Sequence, residues 1–149
     1  MSIFFDLPFK MKLPLTVAGS NKCLTTYMST NSQYIIHKAF FFGAILFRDF
    51  DVDVDIFEKS IDALQFPKVS MKGSAAPRSK IQGSIYTSND SPPFEPIPMH
   101  HEMAQADHPP AYIFFYCHLP SKSGGETPIM DSRLLMQYIK VKYPEEYQK

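Results

Sequence analysis

The chain has 149 residues, 44% of them hydrophobic and 20% charged, which is too apolar for a disordered polypeptide and long enough for one domain with a core. Lys+Arg and Asp+Glu each number 15, so the formal net charge is zero and the electrostatic footprint of a nucleic-acid or anionic-membrane partner is missing. The 13 prolines fix φ and donate no backbone hydrogen bond, which argues against an all-helical protein.

At the N-terminus, Ile3-Phe4-Phe5 is interrupted by Asp6 and followed by Pro8, Lys10 and Lys12, so no signal peptide is read there. Residues Gln33 to Phe42 are expected to form a short helix leading through Gly43 into a strand, Ala44-Ile45-Leu46-Phe47. The longest apolar run, Ala39 to Phe47, is far short of the roughly 20 residues a membrane helix needs. A second helix is expected from about Asp53 to Leu64, because Phe57, Ile61 and Leu64 fall on one face. Asp53 suits its N-cap, where a carboxylate accepts from orphan N–H groups. Gly73 to Pro98 reads as loops and short strands, with Ile85-Tyr86-Thr87 among the strands and Ser91-Pro92-Pro93 a turn. Ile97 to Met103 is a candidate strand. Ala111 to His118 is a stronger one, apolar throughout and so expected to be covered on both faces. Gly124-Gly125 marks a tight turn. Asp131 or Ser132 then caps a helix running to about Tyr143 and stopping near Pro144. Two cysteines are too few for a disulfide framework, and Cys117 is expected to be a buried free thiol. These features together suggest a reduced, cytoplasmic setting.

The chemistry centres on Pro98-Met99-His100-His101-Glu102-Met103. On a strand, side chains alternate faces, so His100 and Glu102 share one face and His101 takes the other. On a helix, residues two apart would not face each other. A histidine and a carboxylate so placed can share one metal ion and supply two ligands of the two-His-one-carboxylate facial triad of non-haem iron(II). Taken alone, a three-residue His-x-Glu pattern also recurs by chance as a solvated pair.

The flanking sequence narrows the choice. The runs Ile-Pro-Met-His-His-Glu-Met-Ala-Gln, Pro-Ala-Tyr-Ile-Phe-Phe-Tyr-Cys and Ser-Gly-Gly-Glu-Thr-Pro-Ile, between Ile97 and Ile129, closely resemble the pattern of the taurine dioxygenase/clavaminate synthase-like superfamily. Gly43 to Phe50, Gly73 to Arg78 and Tyr86-Thr87-Ser88 are also similar, so the resemblance covers about Gly43 to Tyr138. Glu at position 102, followed by Met-Ala-Gln, looks like the clavaminate synthase-like branch. The resemblance implies an α+β fold, here a partial double-stranded β-helix (jelly roll) with flanking helices, formed as a single domain over residues 1–149. It implies His100 and Glu102 as Fe(II) ligands, and Thr127 as the threonine that hydrogen-bonds 2-oxoglutarate. No catalytic residue beyond the metal ligands is indicated. The implied activity is a 2-oxoglutarate-dependent dioxygenase oxidising a C–H bond of a small-molecule substrate, with no nucleic-acid or membrane partner.

In that family the second histidine ligand and the arginine that pairs with 2-oxoglutarate lie further downstream. Here no histidine follows His118, and Arg133 is the single arginine after Arg78. His118 could complete the triad only from the far end of the neighbouring strand. A jelly roll also needs about eight strands, and roughly half are expected here. The chain is therefore read as the N-terminal portion of a clavaminate synthase-like oxygenase domain. The alternatives are a non-catalytic fragment or pseudoenzyme module that keeps part of the fold, and a different metal-binding jelly roll such as a cupin. Arg48 is expected in a structural ion pair. Arg78 and Asn89 are placed on loops that could line a substrate mouth, and His108 and His118 at the surface.

Overall fold

The computed structural model describes residues 14–20, 22–69, 77–92 and 94–148. The Ile3-Phe4-Phe5 stretch, the Gly73–Ala76 part of the expected loop, and Pro93 lie outside the described residues. Contacts divide the chain into two compact units.

The first unit holds β1 (Leu15–Ala18), α2 (Ser32–Phe42) from Gln33 onward, β2 (Ile45–Arg48), α4 (Ser132–Lys142) and α5 (Pro144–Tyr147). The strands β1 and β2 pair in parallel, Leu15 opposite Ile45 and Ala18 opposite Arg48. The expected helix and strand around Gly43 both form. Gly43 ends α2 at φ 76°, its N–H bonded to the Ala39 carbonyl at 2.8 Å, a conformation that costs a glycine little. α4 starts where the sequence places it, with the Asp131 carboxylate accepting from the Arg133 N–H at 3.0 Å. The Arg133 guanidinium grips the same carboxylate at 2.6 Å and donates to the Phe40 carbonyl at 2.7 Å. One arginine thereby braces the start of α4 and satisfies a carbonyl in the last turn of α2. Its contact holds the Asp131 carboxyl below the usual carboxylate range. Arg48 is exposed and forms no ion pair among the described residues, contrary to expectation.

The second unit spans Gly19–Ser32 and Asp49–Glu126 and carries α1 (Leu24–Thr30), α3 (Val54–Asp62) and the antiparallel pair β3 (Lys80–Gln82) and β4 (Ile85–Tyr86). α3 begins as predicted: the Asp53 carboxylate accepts from the Ile56 N–H at 2.7 Å. α1 packs on α3 and buries Leu24 and Met28, while Leu64 is buried just past the end of α3. Ser60 is the buried polar residue at this contact, at 1% exposure. Its hydroxyl donates to the Ile56 carbonyl at 2.6 Å, so Thr25 must be the donor in the 3.0 Å contact between the two hydroxyls.

The β3–β4 hairpin is tied to α3 through carboxylates spaced three residues apart on that helix. Gln82 donates to Asp55 at 2.6 Å, and the Ser84 N–H and hydroxyl both donate to Glu58, at 2.8 and 2.9 Å. Those bonds, the Ser84 N–H first, hold the Glu58 carboxyl below the usual glutamate range. The hairpin turns at Gly83 (φ 43°), where a β-carbon would collide with the Glu58 carboxylate.

Two expected strands are corrected. Ile97–Met103 forms no ladder among the described residues, and the chain turns at Glu102. Pro96 and Pro98 both lack the N–H that one strand edge would present, and Met103 sits at φ 53°, closing a turn with the Ala106 N–H on its carbonyl at 2.9 Å. Ala111–His118 is also unladdered among the described residues, and is covered on one side only. Tyr112 stacks on Phe66 (4.7 Å between ring centres) and Tyr116 on Phe57 (5.4 Å), and the Tyr116 hydroxyl donates to the Val52 carbonyl at 2.6 Å. The other face is open, with Phe115 61% exposed and Cys117 exposed rather than buried. The period-two alternation is kept, but no neighbouring strand covers the second face. The described residues thus form a mixed structure of helices and four short strands, with the jelly roll itself not closed.

Candidate metal centre

His100 precedes, and Glu102 opens, the turn that follows the Pro96–Pro98 segment. Their side chains converge, with His100 Nε2 3.9 Å from Glu102 Oε2. The other ring nitrogen, Nδ1, is 2.8 Å from the Pro98 carbonyl oxygen. A carbonyl can only accept, so Nδ1 carries the hydrogen and the neutral ring presents its lone pair at Nε2, facing the carboxylate. Two lone-pair donors, one imidazole nitrogen and one carboxylate oxygen, therefore face each other. A fixed second nitrogen of this kind is how proteins orient a metal-binding imidazole.

Glu102 is half-buried and His100 is exposed. The second carboxylate oxygen, Oε1, accepts from Arg78 Nη2 at 2.9 Å. Arg78 is held by its neighbours. The Pro77 carbonyl accepts from the Asp90 N–H at 3.1 Å, and Ser79 exchanges hydrogen bonds with Thr87, at 2.9 Å to its N–H and 2.8 Å to its hydroxyl. Thr87 and Ser79 in turn hold the Asp90 carboxyl below its ordinary value.

Beside the pair is an open groove of about 470 Å³, lined by His101, Glu102 and the apolar Ala104, Pro109, Pro110 and Ile113. The volume falls in the range of small-molecule pockets, and an apolar wall with a few polar groups is their usual chemistry. His101 faces this groove while His100 pairs with Glu102 across from Arg78.

Of the remaining residues singled out in the sequence, His118 does not join this pair. His118 lies at a 6.0 Å ring distance from Tyr116 and is exposed, and among the described residues no third His, Cys, Asp or Glu joins the pair. Thr127 is exposed and belongs to the first unit. Asn89 folds its side chain onto the Ser91 N–H at 2.9 Å, a turn contact. The donors fit a first-row dication in kind, nitrogen plus carboxylate, but supply two positions of a triad. Arg78 was read as a loop residue at a substrate mouth. Its contact with Glu102 spans 24 residues, and nothing local in the sequence points that far.

A histidine–carboxylate pair of fixed tautomer beside an apolar groove defines a candidate non-haem metal centre. Residues 25–149 match the family described as taurine catabolism dioxygenase TauD, TfdA family, and the chain belongs to that family. The match begins well before Gly43, so the family pattern takes in α1 as well. A clavaminate synthase-like protein of Arabidopsis thaliana is 40% identical over 129 residues, covering 84% of this chain and 38% of the relative. The dapdiamide synthesis protein DdaC of Enterobacter agglomerans is 33% identical over 98 residues, covering 65% of this chain and 30% of the relative. The chain thus spans about a third of the length of the curated relatives it matches. Among the described residues no helix is long and apolar enough to cross a membrane.

Proposed function

We propose that these residues form the N-terminal portion of an Fe(II)- and 2-oxoglutarate-dependent oxygenase domain that oxidises a C–H bond of a small molecule. The observation that carries this reading is the His100–Glu102 pair, with Nε2 and Oε2 3.9 Å apart and the ring tautomer set by the Pro98 carbonyl. Membership of the TauD/TfdA family supports the same class of chemistry. In this reading His100 Nε2 and Glu102 Oε2 are two metal ligands, and Thr127 hydrogen-bonds 2-oxoglutarate. The third ligand and the arginine that holds the distal carboxylate of 2-oxoglutarate come from outside these 149 residues, on strands that complete the jelly roll. Bound there, ferrous iron supplies the redox chemistry that couples oxidative decarboxylation of 2-oxoglutarate to oxidation of the substrate. The apolar groove walls of Ala104, Pro109, Pro110 and Ile113 favour an apolar portion of the substrate. Ferrous iron persists in reducing surroundings, so the reading places the protein in the cytoplasm.

A second reading, a pseudoenzyme module, is favoured by one observation: the Glu102 carboxylate already has an arginine partner. The test is anaerobic addition of Fe(II) and 2-oxoglutarate to a protein containing this chain and extended to the length of its relatives. The expected result is a visible metal-to-ligand charge-transfer band, and succinate once oxygen is admitted. Absence of both from the extended protein supports the pseudoenzyme, and metal binding without any response to 2-oxoglutarate supports a cupin-like site.

A further inference from the structure

The geometry points to Arg78 as a positioning residue that presents Glu102 to a metal through one oxygen only, an inference that rests on the reading of His100 and Glu102 as ligands. Arg78 and Glu102 side chains are 14% and 18% exposed, so the pair is largely shielded from solvent. Arg78 Nη2 takes Oε1 at 2.9 Å, and the opposite oxygen, Oε2, faces His100 Nε2. The two oxygens of one carboxylate are therefore divided between an arginine and the direction of the imidazole lone pair.

That division has consequences for binding. A carboxylate whose Oε1 is engaged by Arg78 turns its other oxygen, Oε2, toward His100, which favours a single coordination position over two. A facial site with open positions needs that economy. The charge of Arg78 also keeps a half-buried carboxylate compensated when no metal is present, which an isolated buried anion would not tolerate. Arg78 itself is fixed on both sides, by the Pro77–Asp90 and Ser79–Thr87 hydrogen bonds, so its reach to Glu102 is set by backbone. Among the described residues its Nε is buried without a hydrogen-bond partner, and Nη2 makes the contact with Glu102.

An opposite role is physically possible: an arginine that competes with a cation for Glu102. The two make contrary predictions. Mn(II) binding to a protein containing this chain and extended to the length of its relatives is followed by loss of the free-ion electron paramagnetic resonance signal, for wild type, Arg78→Gln and Arg78→Lys. Positioning predicts that Arg78→Gln weakens Mn(II) about 10- to 100-fold, as loss of other outer partners of metal ligands does. Arg78→Lys recovers part of that loss through its point charge. Equal or tighter binding by Arg78→Gln, with an unchanged unfolding midpoint, overturns the inference. A second measurement needs no variant: nitrogen-15 NMR of the wild-type Arg78 guanidinium during Zn(II) addition. Restricted Nη rotation that persists in the metal-bound chain is expected, and release of the guanidinium on Zn(II) binding contradicts positioning. Failure of wild type to bind either ion would strike the two-ligand reading itself, an outcome distinct from equal binding by the variants.

Discussion

The hydrogen bond from His100 Nδ1 to the Pro98 carbonyl, 2.8 Å long, decides what the rest of the ring can do. With that nitrogen committed as a donor, the neutral ring has its lone pair on the other, 3.9 Å from the Glu102 carboxylate. At the same scale Glu58 shows how a carboxylate becomes structural. It accepts two bonds from Ser84, which lower its folded-state pKa below the unfolded value of about 4.3. A depressed acid contributes stability that is complete above the unfolded pKa and is lost as pH falls through the folded one. Urea unfolding of wild type should therefore weaken progressively below about pH 4.3, and Glu58→Gln should flatten that part of the profile. An unchanged profile in the variant would mean that other carboxylates carry it. The sequence paired His100 with Glu102 through strand alternation; the two side chains do approach to 3.9 Å, although the segment forms no strand and turns at Glu102. The Arg78 partner was not legible, since a contact across 24 residues leaves no local pattern.

Among the elements, capping and periodicity in the sequence marked α3 and α4 almost to the residue. Asp53 and Asp131 each accept from a first-turn N–H, and the Phe57–Leu64 face points into the packing against Tyr116 and α1. Replacing Asp53 by Ala should cost about 1 kcal/mol, and by Asn much less, because the amide oxygen still caps. Denaturant midpoints for the two variants check this. Ser60→Ala should cost a similar amount, about 1 kcal/mol, by removing the partner of the Thr25 hydroxyl, whereas Ser60→Leu should cost about 1–3 kcal/mol through overpacking at the α1–α3 contact. Strands were harder to read. The apolar run Ala111–His118 has strand composition and strand alternation, but a ladder depends on a second chain segment that composition does not reveal. The Ile97–Met103 segment failed differently, because Pro96, Pro98 and the left-handed Met103 remove it from any ladder. α1, with no apolar period beyond Leu24 and Met28, and with a cysteine, Cys23, at its N-cap in place of a capping Ser, Thr, Asp or Asn, gave the sequence little to mark it.

At the scale of the whole molecule, the chain matches its family from residue 25 to 149 and spans about a third of its relatives. The open face of the Ala111–His118 segment is an unladdered apolar edge, a template for association. The isolated chain should self-associate with rising concentration, and Phe115→Ser should raise the monomer fraction in sedimentation velocity while leaving the unfolding midpoint nearly unchanged. Loss of stability without a gain in monomer would place Phe115 in the fold instead. The central claim is that His100 and Glu102, rather than His101, hold the metal. Co(II) bound to the chain should give a strongly shifted, exchangeable ring N–H resonance in the proton NMR spectrum, from His100 Nδ1 protected by the Pro98 carbonyl. That resonance should vanish in His100→Ala and Glu102→Ala and persist in His101→Ala. A shifted resonance that survives His100→Ala and disappears in His101→Ala would contradict the account.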